Sequence, residues 1–419
     1  MSIETRLRRA AQFFEQLPQP ILVVGHLDTD GLAATTIITK LLDKKNKQYK
    51  TKILAQLSPA FLNNLPEHES LIILDGGSTY PFTKPTLVID HHQETQEHDN
   101  VFLLNLRLDG VNGSKDVCAA TTAFLLAQEL GLKEQAALAV LGAVGDNQDK
   151  PELQGMNKKA LDVAKQHGVT TIKAPQLFGV FSEPLLTLLF KSHDLAIKGI
   201  TRSKKGIVNL LKELDIDSSK TFAELSKQQQ ETLIQKLEGK KGASLPIHTQ
   251  YSLPYKGVLH DAKKAATFIN ACGRLNKAEI ALQTLRYENT QEPQKILEEY
   301  RITLNKAMKV YEEQAQKHGN MVIFLAKDTI PPAIAGTVCS IVTRSRMVPK
   351  GTIVVALARY DDITKVSIRA RDCKENLFEL IQEATEHVQG ECGGHAVAAG
   401  AIISTDKEQQ FIDYLLKKK

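Results

Sequence analysis

The side chains with the clearest chemical potential in this sequence are aspartates and histidines that follow short apolar runs. Three such runs are "ILVVGH", "LIILD" and "LVIDHH", and a later apolar stretch, "AVLGAVGD", also ends in an aspartate. In chain order these side chains are His26, Asp28, Asp30, Asp75, Asp90, His91, His92 and Asp146. A single aspartate after a strand is usually a helix cap or a turn residue. Several acids and imidazoles at successive strand ends instead indicate one shared site.

Carboxylates that converge in one crevice repel one another strongly unless cations lie among them. Oxygen ligands with a minority of imidazole nitrogens suit Mn²⁺ or Mg²⁺ better than metals that prefer thiolates. Two such ions about 3.5–4 Å apart, bridged by one carboxylate, form the arrangement used for in-line displacement at phosphorus. We therefore expect a centre for two divalent metal ions, with Mn²⁺ preferred and Mg²⁺ as the alternative.

The predicted strands and helices that position these residues indicate an α/β fold. Nearly all-apolar strands alternate with helical segments, which predicts a parallel sheet covered on both faces. In such sheets the ligand crevice lies at the carboxyl ends of the strands, so the strand-end residues are expected to meet there. In a regular strand, His26, Asp28 and Asp30 would all lie on the same side. Two metal ions need ligands from different directions, so we expect the backbone to turn between Asp28 and Asp30.

Composition shifts divide the chain into three predicted segments. Residues 1–190 are expected to form the parallel-sheet α/β domain. Residues 191–248 are polar, helical and rich in lysine and glutamine, which indicates a helical linker or insertion. Residues 249–419 alternate helices and strands again and are expected to form a second, smaller α/β domain that binds substrate.

The overall composition places few limits on partners. The chain has 419 residues and a net charge of +5, which is compatible with a nucleic-acid partner but does not require one. Five cysteines without CxxC spacing fit a reducing cytosol, and the charged N-terminal stretch reads as an amphipathic helix, so we expect a cytoplasmic protein. No apolar run approaches the ~18 residues of a membrane span.

Six residues are candidates for holding substrate phosphates: Arg274, Arg369, Arg371, Gly393, Gly394 and His395. Adjacent glycines let backbone N–H groups approach an anion, and arginine forks suit phosphate oxygens. The arginines of "IRAR" alternate on a predicted strand, so both face one side. The plainer interpretations are a tight turn before a strand and solvated strand arginines, and these residues alone leave both open.

The motifs carry a resemblance to a known family. "HLDTDG", "ILD", "DHH" and "GAVGDNQD" occur in the order and approximate spacing of the four motifs of the DHH phosphoesterase superfamily. "GECGGHAVAAGA" resembles the GGxxAAG-type signature of the DHH-associated C-terminal domain. Within the superfamily the chain is similar to RecJ-like single-strand exonucleases, in particular the archaeal kind that includes the GINS-associated nuclease.

The resemblance implies a role for each strand-end residue. The implied ligands are His26, Asp28 and Asp75 for one ion and Asp30, Asp75, His91 and Asp146 for the other, with Asp75 bridging. Asp146 is thereby also part of the implied catalytic set, with His92 and Asp90. His92 would lie beside the scissile phosphate as a donor or acid, and Asp90 would orient an imidazole by accepting its other N–H.

The implied activity is hydrolysis of single-stranded DNA or RNA from an end, in replication or repair, with the strand lying between the two domains. One alternative is an oligoribonuclease or cyclic-dinucleotide phosphodiesterase that acts on short substrates. A pyrophosphatase is disfavoured by the GGH-type signature. A replisome scaffold without activity is disfavoured because all the expected ligands are present. A replisome protein such as GINS is the expected protein partner.

Overall fold

The computed structural model describes residues 1–418 except 56, 58–61, 63–64, 94–95, 97, 193–194, 196, 289–292 and 346. The chain divides into two compact units, Met1–Pro293 and Gln294–Lys419. Among the described residues, no helix combines the length and apolar character that crossing a membrane requires.

A five-stranded parallel sheet forms the centre of the first unit. Its strands are β1 (Ile21–His26), β2 (Tyr49–Leu54), β3 (Ser70–Leu74), β4 (Thr86–Asp90) and β5 (Val101–Asn105). They run in the order β2-β1-β3-β4-β5, and every pair is parallel. All residues of β3 and β4 are buried, which explains why these strands are continuous apolar runs in the sequence.

Helices and connecting segments cover the two faces of this sheet. The helices are α1 (Ile3–Gln16), α2 (Thr29–Lys44), α3 (Ala119–Glu129), α4 (Ala136–Gly145) and α5 (Gly155–Gln166). On one face α2 packs against β1, and α1 and α3 pack against β4. The opposite face packs against Phe82, Leu57 and Tyr80. The predicted α/β class and the double cover of the sheet are both confirmed.

The connection from β1 to α2 turns where the sequence predicts. β1 ends at His26 and α2 begins at Thr29, with Asp28 as its N-cap. The N–H of Gly31 donates to Asp28 Oδ1 at 3.0 Å, which satisfies one of the free donors of the first helical turn. Asp30 lies inside that first turn. The two aspartates therefore leave the backbone in different directions.

A small helical subdomain interrupts the first unit. Strands β6 (Thr170–Pro175) and β7 (Ile247–Ser252) pair antiparallel and flank it. Between them lie α6 (Leu185–Phe190), α7 (Lys204–Glu213) and α8 (Lys227–Lys241). These helices pack on a core of their own that extends from Ala174 to Leu245. The segment predicted at 191–248 is thus helical, and the core that it shares begins upstream of it.

Residues 249–293 pack within the first unit, although the sequence suggested that the second domain starts at 249. They contain α9 (Ala262–Arg274) and α10 (Ala278–Tyr287), and both helices pack against α2. The Thr29 hydroxyl donates to the Ala266 carbonyl at 2.9 Å, and Asn270 Oδ1 accepts from the Thr29 N–H at 3.0 Å. These contacts move the boundary of the first compact unit to Pro293.

The second unit is a smaller α/β fold built on a mixed sheet. α11 (Pro293–Gln314) begins at the boundary. The strands are β8 (Ala315–His318), β9 (Met321–Lys327), β10 (Ile353–Tyr360), β11 (Ile363–Ala370), β12 (Glu391–His395) and β13 (Ala398–Ser404). Their order is β12-β13-β11-β10-β9-β8, and only β9 and β10 pair parallel among these described strands. The helices α12 (Pro332–Arg344), α13 (Leu377–His387) and α14 (Glu408–Lys417) complete the unit.

Candidate metal centre

The structure brings the strand-end acids and histidines together at the carboxyl edge of the parallel sheet. His26 and Asp90 end β1 and β4, and Asp75 directly follows β3. Two sets of three residues each offer ligand atoms within 4.8 Å of one another: His26, Asp28 and Asp75, and Asp30, His91 and Asp146. A third set with the same property is Asp75, His91 and His92. The first two sets are groupings that the sequence resemblance implies.

Asp75 lies between the two sets. Its Oδ2 is 3.2 Å from His26 Nδ1, and its Oδ1 is 3.3 Å from His91 Nε2. The backbone of Asp75 is left-handed, with φ +63°, and its N–H donates to the Ile89 carbonyl at 2.9 Å. Residues held in sparsely populated backbone regions often occur at functional sites. The two oxygens of one carboxylate thus face the two ligand sets.

His91 presents a defined nitrogen to the carboxylates. Its Nδ1 is 2.6 Å from the Gly113 carbonyl, and a carbonyl can only accept, so Nδ1 carries the hydrogen. In the neutral ring, Nε2 then carries the lone pair that a metal ion can bind, whereas in the protonated ring Nε2 donates to Asp75 Oδ1. That atom lies 3.7 Å from Asp30 Oδ2 and 3.9 Å from Asp146 Oδ2. A lone pair aimed at carboxylate oxygens is the arrangement that a shared cation stabilises.

Asp30 is anchored by the N-terminus of α3. Its two oxygens accept from the N–H groups of Ala119 and Ala120 at 2.8 and 2.9 Å, and the residue is 1% exposed. A helix N-terminus favours negative charge, so this contact holds the carboxylate in place. At Gly142 of α4, a Cβ atom would lie 2.6 Å from Asp30 Oδ1. Glycine at that position therefore leaves room for the carboxylate.

Asp90 orients the second histidine of the "DHH" motif. Its Oδ1 accepts from His92 Nδ1 at 2.7 Å and from the His91 N–H at 2.8 Å. Its Oδ2 accepts from the Ser78 hydroxyl at 2.6 Å. Burial raises the pKa of Asp90, but the neighbouring His92 and these hydrogen bonds outweigh it and hold the pKa well below the usual range. Asp90 is therefore an ionised acceptor, and His92 Nε2 points away from it.

Burial and mutual repulsion shift the pKa values of the acids in the cluster. Burial, followed by repulsion from Asp75, raises the pKa of Asp30 to about 8. Burial also raises the pKa of Asp146. Burial acts in the same direction on Asp75, but hydrogen bonds from His26 and His91 outweigh it and lower its pKa well below the usual range. Divalent cations would remove the cost of this buried charge, and the carboxylate and imidazole donors fit Mn²⁺ or Mg²⁺.

Several residues that support the cluster were not singled out from the sequence. Gln148 is 5% exposed and donates to Asp146 Oδ2 at 2.7 Å. Gly113, in the "NGS" segment whose sequence fits either a turn or a loop near phosphate, supplies the carbonyl that fixes His91. A Cβ atom at Gly113 would lie 2.0 Å from the His91 carbonyl oxygen, so only glycine fits there. The one sequence feature that could have indicated a role for Gln148 is its position between the two aspartates of "GDNQD".

The glycine-rich segment of the second unit is a strand and not the tight turn of the plainer interpretation. Gly393 and Gly394 lie in β12 and pair with Gly400 and Ala399 of β13. A Cβ at Gly394, whose φ is +139°, would lie 2.6 Å from the Ala398 carbonyl oxygen, whereas one at Gly393 would meet open space. The backbone of His395 ends the strand, and its side chain lies outside the described part of the structure.

A basic cavity in the second unit brings two of the candidate arginines together. It has a volume of about 630 Å³, and its lining includes Arg344, Lys350, Arg369 and Arg371. Arg369 donates to the carbonyls of Ile368 and Ala399, at 2.8 and 3.1 Å. Arg369 and Arg371, which alternate in the sequence, both line this cavity. Arg274 lies elsewhere, in the last turn of α9 in the first unit.

The sequence matches two domain families. The model of the DHH family N-terminal domain matches residues 20–145, and that of the DHHA1 domain matches residues 315–418. An uncharacterized protein of Methanocaldococcus jannaschii is 26% identical over 413 residues, which cover 94% of this chain and 91% of that protein.

Solved structures share the fold. RecJ in complex with Mn²⁺ from Thermus thermophilus has a TM-score of 0.59 at 19% identity, covering 99% of this chain and 54% of its own. This chain thus spans about half the length of that RecJ. An exonuclease RecJ bound to manganese has a TM-score of 0.57 at 18% identity, covering 98% of this chain and 94% of its own. CDC45 from Entamoeba histolytica has a TM-score of 0.62 at 11% identity, covering 99% and 98%.

The two family matches coincide with the two sheets. The DHH match contains the parallel sheet together with Asp28, Asp30, Asp75 and Asp90, and it ends one residue before Asp146. The DHHA1 match contains the mixed sheet of the second unit. The two RecJ structures match the fold over 99% and 98% of this chain. The chain belongs to the DHH superfamily, with a DHH domain followed by a DHHA1 domain in a RecJ-like fold.

Proposed function

We propose that this DHH-family phosphoesterase uses two divalent metal ions to hydrolyse single-stranded DNA or RNA from an end. The observation that carries the proposal is the position of Asp75. One of its oxygens faces His26 and the other faces His91, at 3.2 and 3.3 Å, so one carboxylate can serve two ions. Two ions held by these residues would supply the chemistry that phosphodiester hydrolysis requires.

The chain's own residues then have distinct tasks. His26 and Asp28 complete one ligand set with Asp75, and Asp30, His91 and Asp146 complete the other, in which Asp75 also takes part. Bound divalent ions supply activation of water and neutralisation of the charge that develops at phosphorus. His92, held through Nδ1 by Asp90, would in its protonated form present Nε2 as a donor to the phosphate or leaving oxygen.

The second unit supports binding of a phosphate backbone. Four cationic side chains and one carboxylate, Asp372, line its cavity together with hydroxyl and apolar groups. Arginine binds phosphate oxygens through paired N–H groups, and clustered cations give affinity without sequence preference. We propose that Arg369 and Arg371 bind the strand there with Gly393, Gly394 and His395. Arg274 is the candidate for binding substrate in the first unit.

Charge reversal in the cavity is expected to weaken substrate binding and leave the chemical step intact. Arg344→Glu combined with Lys350→Glu changes two exposed lining residues. We expect KM for a long oligonucleotide to rise with little change in kcat. The slope of log affinity against log salt should fall by about 2, because each lost phosphate contact removes about one unit. Lys309→Glu on α11, where the side chain is 76% exposed, is the control. An equal KM increase in the control would contradict this assignment.

Hydrolysis of 5′- and 3′-labelled single-stranded DNA and RNA with Mn²⁺ tests the proposed function. An exonuclease releases products progressively from one end of the strand, leaves duplex intact and loses activity with a chelator. A length series separates the alternatives, because a short-substrate phosphodiesterase loses rate beyond a few nucleotides. Failure to cleave any single strand with Mn²⁺ or Mg²⁺ would overturn the proposal and favour the scaffold alternative.

Two further parts of the proposal concern the setting of the enzyme. We propose a cytoplasmic enzyme of DNA replication or repair that associates with a replisome protein such as GINS. The presence of every implied ligand disfavours a purely structural role. Co-elution of the full chain with purified GINS at physiological salt is the expected result, and separate elution would contradict the association.

A further inference from the structure

We propose that Gln148 is a positioning residue that holds Asp146 and His91 in the geometry required to bind a divalent cation. The inference rests on the proposed function, since it concerns ligands of the same centre. Gln148 lies two residues after Asp146, beyond the end of α4, and its side chain turns inward. It contacts no reacting group directly, so its effect passes through the two ligands.

Gln148 acts directly on Asp146. The side chain of Asp146 is 33% exposed, in contrast to the buried Asp30, which two backbone N–H groups fix. Gln148 Nε2 donates at 2.7 Å to Asp146 Oδ2, the oxygen that lies 3.9 Å from His91 Nε2. A partly exposed carboxylate samples several rotamers, and this hydrogen bond favours the one that faces His91.

Gln148 acts on His91 through a shared carbonyl. The Gly113 carbonyl accepts from His91 Nδ1 at 2.6 Å and from Gln148 Nε2 at 3.0 Å. Gln148 Nε2 is also 3.0 Å from the Val117 carbonyl. One amide group thus contacts both ends of the segment 113–117. The segment thereby keeps the carbonyl that fixes the hydrogen on Nδ1 and leaves Nε2 available to a metal ion.

Two buried side chains set the orientation of the Gln148 amide. The Thr121 hydroxyl donates to Asn157 Oδ1 at 2.6 Å, and Asn157 Nδ2 donates to Gln148 Oε1 at 2.7 Å. Two carbonyls and a carboxylate, all of which only accept, then share the two hydrogens of Gln148 Nε2. Thr121 and Asn157 are 0% and 1% exposed, so the network is fixed in the core of the first unit.

Binding of Mn²⁺ to the metal-free full chain tests the inference separately from activity. Gln148→Met keeps the length of the side chain and removes its donors. We expect the wild-type chain to show two binding steps by calorimetry or by the electron paramagnetic resonance of free Mn²⁺. The variant should weaken one step about 10- to 100-fold, as loss of a residue that orients a metal ligand does, and leave the other step unchanged.

The control and a second variant make the outcome decisive. Gln154→Met makes the same change at an exposed residue preceding α5, where both steps should be unchanged. If Gln148→Met does not fold, Asn157→Leu is the variant to measure. It should weaken the same Mn²⁺ binding step to a smaller extent. Equal weakening of both steps, or unchanged binding, would overturn the positioning role. Absence of Mn²⁺ binding in the wild-type chain would overturn the proposed function itself.

Discussion

Asp75→Asn is expected to lower Mn²⁺-dependent hydrolysis by about 10³-fold or more, the scale at which central groups of an active site act. Asparagine tolerates the left-handed backbone at this position, where φ is +63°, so the fold is retained. The amide has one oxygen and no charge, and can therefore no longer serve both ligand sets. Hydrolysis of labelled single strands, with Mn²⁺ binding measured on the same sample, is the measurement.

Asp162→Asn is the matched control for this variant. Asp162 lies on α5, is 54% exposed and pairs with Lys158 on the same helix. Such surface pairs contribute little to stability, so activity and Mn²⁺ binding should equal those of the wild-type chain. The bridging role of Asp75 is wrong if Asp75→Asn retains two Mn²⁺ sites of unchanged affinity.

The position of the metal centre could be predicted because sheet topology fixes it. Parallel strands bring their carboxyl ends to one edge, so aspartates and histidines placed after strands converge without any knowledge of side-chain packing. The turn between Asp28 and Asp30 followed in the same way, from the conflict between strand alternation and two separate ions. The apolar runs of the sequence predicted the parallel sheet of the first unit.

Features that depend on contacts between distant segments could not be predicted. The hydrogen bonds of Gln148 join residues near 113, 117, 146 and 157, and its place between two aspartates of "GDNQD" does not identify these partners. The change of composition after residue 248 suggested a domain start, but α9 packs on α2 and α4 of the first unit. Strand pairing of Gly393 and Gly394 likewise depends on β13, because short glycine runs carry no apolar alternation.

The second large effect expected is a loss of stability of the metal-free chain as pH rises from 6 to 9. The pKa of Asp30 is raised to about 8, chiefly by burial, from an ordinary value near 3.9. The folded chain thus binds this proton more tightly than the unfolded chain does. Its contribution to stability is complete below pH ~4 and is lost as pH rises through about 8.

The histidines act in the same direction. Burial lowers the pKa of His26 and His91, but the neighbouring carboxylates outweigh it and raise both above the ordinary value. Their stabilising contribution is therefore present below pH ~6.5 and is also lost as pH rises through the folded-state pKa values. The pKa values of Asp75 and Asp90 are lowered, so these two residues change the stability of the chain only at acid pH. They therefore do not oppose the loss of stability between pH 6 and 9.

Mn²⁺ should reverse this loss, because metal ligands bind in their deprotonated form and affinity rises with pH. At about 100 times its Kd, an ion adds ~2.7 kcal/mol to the free energy of unfolding, which corresponds to a rise in Tm of roughly 3–5 °C for a unit of this size. The rise in Tm should be larger at pH 8.5 than at pH 6, as measured by scanning calorimetry with and without chelator. Asp30→Asn removes the carboxyl group with the raised pKa and should flatten the pH dependence of the metal-free Tm. An equal Mn²⁺ effect at both pH values would mean that the acid cluster is not where the cation binds.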